Sequence, residues 1–167
     1  RNRRSDAIAV ELEADTAPIE RWVGTRLHGA VLGDLVVETA SLRFDGHVGP
    51  NSRGPTLTLE GRLDGTWSWV RFAVHPEVRG RFIMLEPAAV WWFGGAAPDS
   101  DTVWSAIVRR LFQTRRGALD PVRDTLGRAL VASGWKAPRL DRLSLLSAEF
   151  GARQVRLAFG EQAGTPD

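Results

Sequence analysis

The 167-residue chain carries 22 basic and 20 acidic side chains for a formal net charge of +2, with 43% hydrophobic and 25% charged residues. That is ordinary globular composition, which excludes a disordered or low-complexity chain and leads us to expect one domain over 7–160, with 1–6 and 161–167 as flexible termini. The lack of cysteine excludes disulfides, thiol catalysis and thiolate metal sites, and no apolar run approaches the ~20 residues that span a bilayer.

In chain order, Ile8, Val10 and Leu12 alternate with Ala9, Glu11 and Glu13, so 7–13 reads as a half-buried strand. Asp15 and Thr16 offer a cap and Pro18 falls in the first turn of a helix, where its missing N–H costs nothing. Ile19, Trp22, Val23, Leu27, Ala30 and Val31 follow at helical spacing, predicting an amphipathic helix of about four turns over 17–32 that stops at Gly33. Leu35 to Asp45 returns to strand, Asp45-Gly46 reads as a turn, and 47–55, with Gly49-Pro50 and Gly54-Pro55, as a loop. Leu57, Leu59 and Leu63 mark another strand up to Asp64-Gly65. Trp67 to His75 is the next, and a loop from His75 to Gly80 leads into Arg81 to Phe93.

That last stretch has apolar residues at both parities, which predicts a strand covered on both faces. Pro87 inside it predicts a bulge, a bend or an unpaired edge. Pro98 to Asp101 holds cap candidates for a helix over 102–113 with Val103, Trp104, Ile107, Val108, Leu111 and Phe112 inward. Asp120-Pro121 begins a further helix that ends at Gly134. Leu140 to Glu149 and Arg153 to Phe159 read as a hairpin around Phe150-Gly151, with Val155, Leu157 and Phe159 on its buried face. Most connections are too short for parallel crossovers, so the expected class is α+β: one strongly curved antiparallel sheet, meander plus C-terminal hairpin, wrapped around amphipathic helices.

Catalytic signatures are absent from the sequence. His28, His47 and His75 are far apart and lack the close pairs of metal motifs. No nucleophile elbow, P-loop or dinucleotide fingerprint occurs, and Gly94-Gly95 lacks the lysine and hydroxyl a phosphate loop needs. Glu60 and Glu86 are the carboxylates to inspect, but outward strand carboxylates are usually solvated. We therefore expect no enzyme, no cofactor and no metal. The sequence pI of 10.2 suggests nucleic acid until its origin is seen: with no Tyr, no Cys and Lys136 as the single lysine, a small arginine excess sets it. No nucleic-acid partner is expected.

Arg109, Arg110, Arg115 and Arg116 are candidates for an anionic head group, membrane surface or envelope partner, or else form the polar face of amphipathic helices. Trp67 and Trp69 share one strand face, which suits a wet or interfacial position. Trp22, Trp91, Trp92 and Trp104 either fill a core or line a cavity. Arg1-Asn-Arg-Arg4 reads either as the basic flank of a removed anchor or signal or as a solvated start, and the former leads us to expect the cell envelope, periplasmic or membrane-anchored.

The amphipathic helix Ile19 to Val31, the meander with its connection Val74-His-Pro-Glu-Val-Arg-Gly80, the following Gly80-Arg-Phe-Ile-Met-Leu85, and the closing Val155-Arg-Leu-Ala-Phe159 together resemble small bacterial envelope proteins of the tubular lipid-binding (TULIP, SMP-like) superfamily, of lipoprotein type. The resemblance implies a bent sheet around a long helix with lipid in the groove between them, and no catalytic residues. This chain lacks the lipid-acceptor cysteine of the lipoprotein version. The expected function is non-catalytic binding of a lipid or other apolar molecule, lined by Trp22, Leu27, Trp91, Phe93, Trp104, Ile107, Leu111 and Phe112. The alternative is a filled-core envelope module that docks another protein and takes no small-molecule ligand.

Overall fold

Alternating apolar residues between Leu35 and Gly94 make four long strands in the computed structural model, which describes residues 10–79, 82–95, 97–112, 118–119 and 143–161. The strands are β3 (Leu35–Gly49), β4 (Ser52–Leu63), β5 (Thr66–Arg79) and β6 (Phe82–Gly94). Short β2 (Val31–Leu32) and β7 (Ala118–Leu119) flank them in an antiparallel six-stranded sheet, in order β2-β3-β4-β5-β6-β7. A second sheet, in order β1-β9-β8, joins β1 (Val10–Asp15) to the C-terminal hairpin of β8 (Leu143–Phe150) and β9 (Gln154–Glu161). Helices α1 (Thr16–Leu27) and α2 (Ser100–Phe112) complete the described chain.

This corrects the expected class. The molecule is mostly β with two separate sheets, and the expected single strongly curved sheet wrapped around amphipathic helices, which the TULIP resemblance also implies, is not the architecture. The physical reason is pairing across the chain ends. Val10 to Asp15 take Phe159 to Gln154 as ladder partners, so the hairpin forms a sheet with β1 and does not extend the meander.

One face of the six-stranded sheet then carries two cores side by side. Leu35, Val37, Leu57, Leu59, Leu63, Val70 and Phe72 meet Val23 and Leu27 of α1 and Val103 and Ile107 of α2. Phe44 and Ile83 meet Leu143, Leu145, Val155, Leu157 and Phe159 of the second sheet. The hairpin and its apolar triad at Val155, Leu157 and Phe159 stand as the sequence predicts.

Several boundaries move. Helix α1 ends at Leu27, short of 32, because Gly29 adopts a φ of +71° that closes the helix, and its N–H donates to the Val37 carbonyl. Val31 and Leu32 pair instead with Val36 and Leu35. Asp45-Gly46 and Gly54-Pro55 are absorbed into β3 and β4: Phe44 and Asp45 together oppose Pro55, which has no N–H for the ladder, and the strands bulge there. The Phe44 N–H donates to Glu20 Oε1 of α1 at 3.3 Å. Strand β5 runs through His75 and Pro76 to Arg79, where a loop was expected. Pro87 does adjoin a bulge, since Ala73 pairs with Ala89 but Val74 with Pro87.

Asp99 caps α2, its carboxylate accepting from the Thr102 hydroxyl at 2.6 Å and from the N–H groups of Asp101 and Thr102. The Thr102 hydrogen bonds hold that carboxyl below its ordinary range. The helix expected over 120–134 lies outside the described residues. Of the expected flexible termini, Glu161 belongs to β9 and the rest lie outside the described residues.

Candidate functional site

Strand β5 shows how the site arises. Ser68, Val70 and Phe72 point to the helices and are buried, so the intervening Trp67, Trp69 and Arg71 must point to the opposite, outer face. Antiparallel register then places β6 residues on that face beside them, Phe93 opposite Trp69 and Trp91 opposite Arg71. The Trp67 and Phe93 rings meet edge to face with centroids 6.0 Å apart. The Arg71 guanidinium lies 4.8 Å over the Trp69 ring, while its Nε donates to Thr58 Oγ1 of β4 at 3.1 Å.

The charged residues that flank the aromatic end are engaged. Glu60, opposite Trp69 on β4, accepts from Thr39 Oγ1 at 3.4 Å. Arg62, opposite Trp67, donates to Glu38 Oε1 at 3.0 Å and to the Gly65 carbonyl at 3.2 Å. Toward the far end of β5 the face turns ionic: Arg79 donates to Glu77 at 2.8 Å and lies 4.0 Å from Glu86. That hydrogen bond lowers the Glu77 pKa and raises that of Arg79.

The aromatic end is open to water. Among the described residues, eight large apolar side chains are exposed, and five of them (Val31, Val36, Trp67, Trp91 and Phe93) share the outer face where the β2–β3 turn, the β4–β5 turn and the end of β6 meet, while Trp92, opposite Val70, is exposed on the inner face. Phe93 keeps 69% of its surface exposed and Trp92 keeps 55%. The expectation that β6 is covered on both faces is therefore wrong at this end. The strand is apolar at both parities because inner Ile83, Leu85 and Val90 feed the cores, while outer Trp91 and Phe93, and Trp92 at the inner end, stand in water.

The eight expected lining residues do not converge on one space. Leu27 and Ile107 are buried in the first core, and Leu111 packs against it. Trp104 lies 5.2 Å from Phe72, and its indole N–H donates to the Leu85 carbonyl at 3.3 Å. Leu85 faces Pro76 across the ladder, which has no N–H to offer. Trp22 is 45% exposed on α1, with its ring 6.2 Å from that of Phe112. Trp91 and Phe93 stand on the other side of the sheet from all of these.

Arg109 and Arg110 are exposed on α2, and Arg110 Nε donates to the Arg26 carbonyl in the last turn of α1, at 3.4 Å. Arg115 and Arg116 lie outside the described residues. The carboxylates singled out in the sequence, Glu60 and Glu86, are both exposed. Sequence reasoning left Arg71, Thr58 and Val36 out of the site, although Trp67-x-Trp69-x-Arg71 at period two was the available signal.

Elsewhere, an open hollow of ≈ 430 Å³ lies beside the β8–β9 turn between Phe150, Arg153 and Arg156. Among the described residues no group of three or more His, Asp or Glu could hold a metal ion, and no helix is long and apolar enough to cross a membrane. No family model, curated protein or solved structure matches the chain.

Proposed function

We propose that this protein is a non-catalytic interaction module whose working surface is the aromatic end of the outer sheet face, and that a protein partner docks there. The observation that carries the reading is Trp67, Trp91 and Phe93 standing in water around the stacked Trp69–Arg71 pair, while Leu27, Phe72 and Ile107 close the space between sheet and helices. Interface centres are rich in Trp, Phe and Arg, as this patch is, and the Glu60 and Arg62 that flank it are already hydrogen-bonded. A polyanion would need unpaired cations, whereas Arg62 is paired with Glu38 and Arg71 is held by Trp69 and Thr58. A lipid groove between sheet and helices would need room where Leu27 and Ile107 are buried.

Site-specific photo-cross-linking in the producing cell tests this. A benzophenone amino acid at Phe93 or Trp67 should give adducts of discrete protein mass, and one at exposed Glu11 of the second sheet should not. Adducts at Glu11 alone, adducts of lipid mass only, or none at any position would overturn the reading.

A further inference from the structure

We propose that a second surface, the layer of α1 and α2 on the other side of the six-stranded sheet from the aromatic face, docks this protein on an anionic lipid bilayer. The proposal stands independently of the docking surface on the outer face. Charge in this chain is segregated. Residues 100–142 hold nine Arg and Lys side chains against four Asp, a charge of +5, and the remaining residues carry −3 to leave the net +2. The helix layer presents its cations without neutralising them. On the sheets, Arg62, Arg79 and Arg156 each lie within 4.0 Å of a carboxylate. On the helices, Arg21, Arg26, Arg109 and Arg110 are exposed, and none forms an ion pair among the described residues.

The acids of the two helices stand elsewhere. Glu20 accepts from the Phe44 N–H of β3, and Asp101 lies in the first turn of α2, about two turns from Arg109. Arg110 has a structural duty at the Arg26 carbonyl, and that bond brings arginines of neighbouring helices to one seam. Beside the seam, Trp22 keeps 45% of its surface exposed and meets Phe112 with ring centroids 6.2 Å apart. Guanidinium groups pair with lipid phosphates, and an indole settles at the head-group level with its N–H toward water. A polyanion in water would answer the cations and leave the Trp22–Phe112 pair exposed, whereas a bilayer answers both. Residues 113–142, which follow α2 in the chain, add seven basic and three acidic side chains, so the sequence continues with the same sign of charge. Docked in this way, the protein turns its outer sheet face away from the lipid, where it stays open to a partner.

Co-sedimentation of the full chain with phosphatidylcholine vesicles in which about one lipid in three is phosphatidylglycerol tests this. The protein should bind them at low salt, leave them when ionic strength rises about tenfold, and ignore pure phosphatidylcholine. Arg26→Gln combined with Arg109→Gln should weaken binding about 20-fold, roughly fivefold for each charge, while the corresponding pair of lysine substitutions should stay within about twofold of wild type. Trp22→Ala keeps every charge and should still cost about threefold or more. A benzophenone amino acid at Trp22 should give lipid adducts on these vesicles, and one at Phe93 should give none. No binding at low salt, equal binding to neutral vesicles, or a double glutamine variant as tight as wild type overturns the proposal. Binding unchanged by Trp22→Ala and matched by duplex DNA assigns the cations to nucleic acid and overturns the bilayer. All of these results leave the docking reading of the outer face intact, whereas lipid adducts at Phe93 in place of Trp22 overturn both.

Discussion

Shaving Leu27 to alanine separates a filled interior from a ligand groove, because the two arrangements assign this residue opposite surroundings. Leu27 is 0% exposed and Ile107 1%, and they meet Leu35, Leu59 and Phe72 across the helix–sheet interface. In a packed core, Leu→Ala loses the transfer free energy of three carbons and leaves a cavity that neighbours only partly fill, for a cost of about 3 kcal/mol. Ile107→Ala should cost the same. Trp22→Ala, from the same expected lining, should cost only about 1 kcal/mol, since the ring is 45% exposed and its contact is the tilted one with Phe112.

Urea unfolding followed by far-UV circular dichroism measures all three, with a shared m-value marking an unchanged unfolding transition. For a chain of this length, 3 kcal/mol lowers Tm by roughly 6–12 °C. On the wall of a groove, the same truncation would widen an existing space and open no new cavity. A loss below about 1 kcal/mol at both Leu27 and Ile107, or a full loss seen only after lipid extraction, would refute the filled-core argument and return the interior to an apolar ligand.

Trp104→Phe should keep the ring against Phe72 yet leave the Leu85 carbonyl without its indole donor, opposite a proline that cannot replace it, at about 1–2 kcal/mol in the same assay; an unchanged midpoint would mean that water serves that carbonyl as well. Gly46→Ala directs a Cβ into the Thr56 side chain across the bulge, and about 1–3 kcal/mol should be lost. Adding Thr56→Ala removes two of the three crowding atoms and should recover part of that loss. Strict additivity of the two substitutions would count against the contact.

What the sequence made legible was local. Asp64-Gly65 does turn β4 into β5, Asp99 does cap α2, and Val155, Leu157 and Phe159 do line one side of a hairpin. Each depends on side-chain and backbone chemistry within a few residues. Strand length was not legible in this way. Asp45-Gly46 and Gly54-Pro55 are good turn formers in isolation, but facing each other across β3 and β4 they are absorbed as a bulge whose register the flanking Leu42–Leu57 and His47–Arg53 pairs maintain. The division into two sheets was hidden for the same reason, since β1 is alternating and half-polar whether it joins the meander or β9, and only the distant partner decides.

The outer face failed to announce itself for a different reason, and that reason bears on function. Counting apolar residues at both parities of Phe82 to Phe93 reads every one as buried, yet tryptophan serves equally in a core and at a wet boundary. Three inner residues of β6 have clear structural duties: Val90 packs on the first core, and Ile83 and Leu85 on the second, while Trp92 at the strand's end is in neither. Trp91 and Phe93 have no such duty on the outer side, and their exposure keeps large apolar rings in water. A single exposed apolar residue needs no explanation. Five gathered on one face where three strand ends meet, with a guanidinium fixed among them, form a patch of the kind that marks an interaction site. The same alternation that builds the core on one side of β5 and β6 thus delivers the docking surface on the other, so substitutions at Trp91 or Phe93 should act on association and leave the unfolding midpoint of the monomer nearly unchanged.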